Sequence, residues 1–279
     1  MLKRCQKSNM HDTRQYPDMN KLEIPEVVYH YTSNDVLLKI LEHKALRLSA
    51  KHHLNDTLEG DQFFALLKTH PSAPDSSRID GLRDALDPFE FFVTCFSSLG
   101  DRLSQWRGYA ANGAGVSIGF KGKAILNAIK GSHEALLYPV AYADNVGQLP
   151  HDRVNTINAI LTSTGTPSSA AIQAFAKERW AIKPSGFEEE QETRLVVTID
   201  SRSGKLHPIT PGFRIGYFAT GSEVREYCDF LLGATDEAGV IESITLGPNN
   251  RTNEGALQRA LLHFGLPNVV IKRSQLSYR

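Results

Sequence analysis

The nine residues Phe89–Ser97, FEFFVTCFS, limit what this chain can fold into more than any other stretch. All but three positions are aromatic or β-branched, the residue types that suit a pleated, buried backbone. Such a run reads as a β-strand, and so apolar a strand belongs at the centre of a sheet. The fold must therefore supply partners for it from segments that are distant in sequence.

Several segments qualify. VVYHYTS at Val27–Ser33 is β-branched and aromatic, and it runs into a helix that Ser33 or Asn34 can cap, with Val36, Leu37, Ile40 and Leu41 on one face. ALRLS at Ala45–Ser49 alternates like a short strand, VSIGF at Val116–Phe120 follows a turn of small residues, and LLYPVAYA at Leu136–Ala143 adds another strand. Helical spacing is expected in the segment after Gly60, then over Arg153–Thr162 and Ser168–Ile182. Pro71–Pro88 reads as a loop with at most one helical turn, and the prolines of HPITPG at His207–Gly212 open an irregular insertion that extends to about Ala238. IESITLGPNN, a helix over Asn253–Phe264, and NVVIKR close the chain as a strand–helix–strand unit at the edge of the sheet. The sum is a mixed α+β domain with a mainly antiparallel sheet core and flanking helices. Residues 1–26 lack apolar periodicity and read as a flexible N-terminal arm, and residues 27–279 as a single domain.

Composition narrows the function. Lysine plus arginine equals aspartate plus glutamate at 31 each, so no global field favours nucleic acid or a membrane surface, and any nucleic-acid contact has to come from a local patch. The three cysteines, Cys5, Cys95 and Cys228, are far apart and form neither a disulfide framework nor a zinc motif, which fits a reducing cytoplasm. The first residues have no apolar core of a secretory signal, and no later segment is long enough to span a membrane. The glycines of GYAANGAGVSIG match neither a dinucleotide fingerprint nor a P-loop. His52 and His53 lie near Asp56 and Glu59, but neighbouring histidines usually point apart, and no metal site is assigned.

The stretch FEEEQETRLVVTID, Phe187–Asp200, carries four carboxylates in five positions before an alternating apolar strand. Clustered acids are poor strand formers and repel one another, so the pattern needs a reason. Strand alternation places Glu190, Glu192 and Arg194 on one face, where the guanidinium pairs with the carboxylates and keeps them ionised; Glu188 and Glu189 fall in a solvated loop.

Four islands, YHYTS at 29–33, LNDTLEG at 54–60, the segment from Cys95 to Phe120, and FEEEQETRL at 187–195, resemble together the bacterial domain-of-unknown-function 2971 family. The resemblance spans about Val27 to Pro248, with Thr57 standing where that family's pattern looks more like proline. The His-Tyr-Thr opening and the late Glu-x-Glu also look like the first and last motifs of ADP-ribosyltransferases. That second resemblance implies an ADP-ribosyltransferase-like fold and NAD as substrate. By it His30 would hold the ribose on the nicotinamide side, with Tyr31 and Thr32 as strand neighbours and Ser97 bracing the site. Trp106 and Tyr109 are the candidate stacking residues, Glu192 the catalytic carboxylate and Glu190 the motif's first carboxylate. Arg102, Arg107 and Lys183 could grip phosphates.

Each of these has a plain alternative. His30 also reads as a hydrogen-bonded core histidine, Trp106 and Tyr109 as core aromatics, the three cations as surface charge, and Glu190, Glu192 and Arg194 as a structural ion-pair network. Asn55 and Asp56 suit a helix-capping turn as well as chemistry. The expectation is an NAD-consuming ADP-ribosyltransferase-like enzyme used as a bacterial toxin or phage-defence effector. It would modify a protein or nucleic-acid acceptor and be held by an antitoxin or inhibitor protein. One rival is a metal-dependent nuclease or hydrolase using Asp56, Glu59, Glu190 and Glu192, assisted by His30. The other is a non-catalytic module that binds a nucleotide or partner.

Overall fold

A computed structural model describes residues 23–53, 60–69, 76–132, 134–162, 176, 178–201, 210–234 and 239–277. The segment Phe89–Ser97 forms the central strand β3, and its two faces are buried in different cores. Phe92 and Phe96 point into a core built with helix α1 (Asn34–His43), strand β4 (Val116–Lys121), helix α5 (Gly122–Ala128) and the helix near the C-terminus, α7 (Glu254–His263). Phe91 and Val93 point into a second core closed by helices α2 (Asp61–Thr69), α3 (Ser76–Asp84) and α6 (His151–Thr162). Alternation along one strand thus holds two layers of helices on one sheet.

The sheet has ten strands and branches at β3. One edge of β3 pairs along its whole length with β8 (Glu192–Asp200), from Phe89 opposite Asp200 to Ser97 opposite Glu192, and β8 pairs on with β5 (Ala135–Pro139). The other edge is shared. At the end of β3, Ser97 pairs with Tyr29 of β1 (Val27–Thr32), whereas at its middle Val93 and Phe92 pair with Ser49 and Ala50 of β2 (Ala45–Ala50). Between these contacts the sheet is split, and β1 and β2 lead away to different neighbours. β1 continues through β4 to β11 (Ile241–Leu246) and its parallel partner β12 (Val270–Arg273). β2 continues through β10 (Glu223–Leu231) to β9 (Phe213–Thr220).

Ser33 caps α1 by accepting from the Val36 amide, so strand and helix meet with one residue between them. Ile24 packs on the core and the Glu26 carbonyl accepts from the Gly122 amide, so the described chain is docked before β1 begins; residues 1–22 lie outside the described residues. The mainly antiparallel α+β architecture and the closing strand–helix–strand unit are as expected.

Four local expectations are corrected. Ser76–Asp84 is a nine-residue helix rather than a loop with at most one turn, because Ile79 and Leu82 are buried together against α2. The irregular insertion expected to run to Ala238 contains the long β9–β10 hairpin, its strands joined at Gly221–Ser222. Leu136–Ala143 is two strands, β5 and β6 (Ala141–Tyr142), because the backbone breaks at Val140, whose amide turns to the Glu192 carbonyl. The helix expected to reach Ile182 stops at Trp180, where β7 (Ile182–Lys183) begins its pairing with β6.

Candidate functional site

The split in the sheet forms a cleft of about 390 Å³. His30 sits at the split. Its Nδ1 is 3.0 Å from the Cys95 carbonyl, so the ring donates to a backbone oxygen on the unpaired edge of β3. Burial pushes the His30 pKa down, against the pull of that carbonyl, and the ring is neutral at pH 7 with Nε2 left as an acceptor.

The opposite wall is the start of β8. Pro184 ends β7, and Ser185–Glu190 form a short 3-10 helix that stops at Gln191, whose φ of 43° is left-handed. Glu190 therefore belongs to the turn and not to the strand, which corrects the expected alternation of Glu190, Glu192 and Arg194 on one strand face. The two carboxylates meet through a lysine instead. Lys183 Nζ lies 2.6 Å from Glu190 Oε2 and 3.3 Å from Glu192 Oε2. Arg194 completes the arrangement, with Nε 2.7 Å from Glu192 Oε1, Nη2 3.0 Å from Oε2 and Nη1 donating to the Trp180 carbonyl.

Burial alone would raise the Glu192 pKa, but Arg194 and Lys183 outweigh it and hold the carboxyl below its ordinary value. Burial alone would lower the Lys183 pKa, and Glu192 with Glu190 reverses that, so the ammonium is held above its ordinary value. The Cys95 thiol donates to the same Glu192 carboxylate. The backbone is fixed as firmly: the Glu192 amide donates to Tyr142 Oη at 2.7 Å and its carbonyl accepts from Val140. Ser97 accepts from the Leu99 amide and donates to the Glu190 carbonyl at 2.7 Å, tying the turn to β3.

The cleft brings together His30, Tyr31, Ser97, Tyr109, Glu190 and Glu192 from the expected set. Tyr109, on α4 (Leu103–Tyr109), donates to Glu190 Oε1 at 2.8 Å and keeps 45% of its surface exposed. Other members of the set are placed differently, and of these Lys183 also lines the cleft. Trp106 is fully buried, packs edge-on against Tyr31 and donates to Asp101, so it is core and not a stacking platform. Thr32 is buried and does not line the cleft. Arg102 and Arg107 line a separate groove with Asp101, Glu189 and Leu276. Arg194 is fully buried behind Glu192, which makes it a positioning residue. Lys183 is buried against carboxylates instead of lying open for a phosphate. Asp56 and Glu59 lie outside the described residues.

Sequence reasoning missed the pairing role of Lys183, the thiol of Cys95, and Phe187 and Arg47 in the lining. Only Lys183 carried a local signal, a lone cation just ahead of the acidic run. Arg47 had none, since its neighbours come from β10.

Residues 105–195 match the model of a family described as Protein of unknown function (DUF2971), so the chain resembles that family across α4, β4 and the acidic turn. No curated protein and no solved structure gives a match.

Proposed function

We propose that the protein is an NAD-consuming, ADP-ribosyltransferase-like enzyme. The observation that carries this reading is Glu192, a nearly buried carboxylate kept ionised by Arg194 and Lys183 at the wall of a ligand-sized cleft that also holds His30. Structural ion pairs have no need of a cleft. A carboxylate fixed beside one suits a reaction that builds positive charge on its substrate.

In the proposed reaction the bond between the ribose carbon and the nicotinamide nitrogen breaks, and nicotinamide leaves neutral with the bonding pair. Glu192 stabilises the oxocarbenium-like charge that develops on the ribose, an interaction stronger in the transition state than in the bound substrate. Neutral His30 offers Nε2 to a ribose hydroxyl. The acceptor then bonds to the ribose carbon and releases its proton to solvent. With water as acceptor the products are ADP-ribose, nicotinamide and a proton. Protein and nucleic-acid acceptors, and use as a toxin or phage-defence effector under an inhibitor protein, belong to the same proposal through the resemblance.

A divalent-cation site is less favoured by the same geometry, because Glu190 and Glu192 already face Lys183 and Arg194. The deciding comparison is NAD cleavage by the wild type against Glu192→Gln. A loss of 100-fold or more, on the order of one strong electrostatic contribution, is expected in variant protein that its melt shows to be folded at the assay temperature. Equal turnover would remove Glu192 from the chemistry.

A further inference from the structure

The two ends of the cleft differ in charge. At the β8 end, two cations face two carboxylates, Lys183 and Arg194 against Glu190 and Glu192, so the set carries no net charge to draw an anionic group. At the β2 end, Arg47 is the one charged residue among the described residues of the lining. It precedes by two positions Ser49, the residue at which β2 joins β3, and strand alternation turns both side chains to the cleft.

The Arg47 guanidinium is built into place. Its Cζ lies 3.4 Å from the centroid of the Tyr227 ring and 5.4 Å from that of Phe218, a cation stacked on aromatic faces. Tyr227 lies across Gly216 of β9, where a Cβ would come within 2.4 Å of Tyr227 Cζ, so a side chain at Gly216 would displace the ring that supports Arg47. Asp229 is 3.6 Å from Arg47 Nε and 3.0 Å from Arg214 Nη2, so one carboxylate serves two guanidiniums and the group keeps net positive charge. Arg47 nonetheless has 46% of its side chain exposed. A planar, stacked, incompletely neutralised guanidinium at the mouth of a cleft matches the geometry and charge of phosphate oxygens.

We propose that Arg47 is the phosphate-holding residue of this cleft, so that its ligand carries a phosphate or diphosphate at the β2 end and its reacting carbon near Glu192. This rests on the NAD reading for the identity of the ligand and adds the placement of its diphosphate. Arg47 is a binding residue here, and Tyr227 and Gly216 position it.

The test is calorimetric titration of wild type, Arg47→Ala and Arg47→Lys with inorganic pyrophosphate, ADP-ribose and nicotinamide riboside, beside thermal melts and NAD turnover. Pyrophosphate and ADP-ribose are expected to bind the wild type. Arg47→Ala should weaken both by tenfold or more and leave nicotinamide riboside within twofold, with Arg47→Lys in between. Gly216→Ala should weaken pyrophosphate binding although Arg47 is present. Absence of pyrophosphate binding to the wild type overturns the proposal, as does an unchanged affinity in folded Arg47→Ala or Arg47→Lys. The two readings separate cleanly. NAD turnover that depends on Glu192 but not on Arg47 keeps the enzyme and removes the subsite. Arg47-dependent pyrophosphate binding without turnover keeps the subsite and removes the NAD reading.

Discussion

Arg194 has no exposed surface and gives hydrogen bonds inward, among them two to Glu192 and one to the Trp180 carbonyl. Removing one member of a buried ion pair leaves the other desolvated, so Arg194→Met should cost about 3–5 kcal/mol in urea denaturation. Glu192→Gln keeps the shape and an accepting oxygen but takes the counter-charge from Arg194, so its turnover is read on protein that its melt shows to be folded. Two groups of the cleft tie stability to pH on the acid side. The folded pKa of Glu192 lies below its ordinary 4.5, so its contribution is complete above that value and is lost as pH falls through the folded pKa. His30 has a folded pKa below its ordinary 6.5; the unfolded chain binds the extra proton between the two values, and stability falls as pH drops from 6.5. His30→Asn should remove that upper step, read from urea midpoints across the range, while the lower step remains. A retained upper step would assign it to another group.

Gln191 is the element-scale hinge of the site. A non-glycine residue at positive φ is uncommon, and for a β-branched one the left-handed conformation is a real outlier. Gln191→Val should destabilise by about 1–3 kcal/mol and loosen the coupling of Glu190 to Glu192 through Lys183, read as raised KM for NAD and a lowered urea midpoint. An unchanged midpoint would show that the turn is not strained. This hinge was invisible in the sequence, where E-E-E-Q-E-T-R reads straight into the strand as alternation. Elements with a clear period were legible: β1, α1, β3 and the closing β11–α7–β12 unit. The β9–β10 hairpin was hidden because Pro208 and Pro211 signalled an irregular segment, although FRIGYFAT and EVREYCDFL alternate on either side of Gly221–Ser222. Helix α3 was hidden because only Ile79 and Leu82 carry its apolar face in a polar setting.

At the scale of the whole molecule, the branch at β3 is what makes a site. β8 brings the acidic turn, β1 brings His30, and β2 with β10 brings Arg47, three contributions that converge only because one edge of β3 is shared between two strands. The first two left motifs in the sequence because each carries its own chemistry in a few adjacent residues. The third left none, since Arg47 becomes a site residue through Tyr227 and Asp229, 180 or more positions later. A ligand that bridges these strands binds the folded protein only, so NAD at 100 times its Kd should stabilise by about 2.7 kcal/mol and raise the melting temperature by a few degrees. No shift at saturating NAD would argue against a site that spans the split.

The most direct measurement uses NAD labelled on its adenylate half, incubated with the purified protein and a bacterial lysate that supplies protein and RNA acceptors, beside Glu192→Gln. Label transferred to an acceptor, or free ADP-ribose released, by the wild type and not by the variant is the expected result. Intact NAD with the wild type, together with no NAD-dependent rise in melting temperature, would contradict NAD chemistry at this cleft.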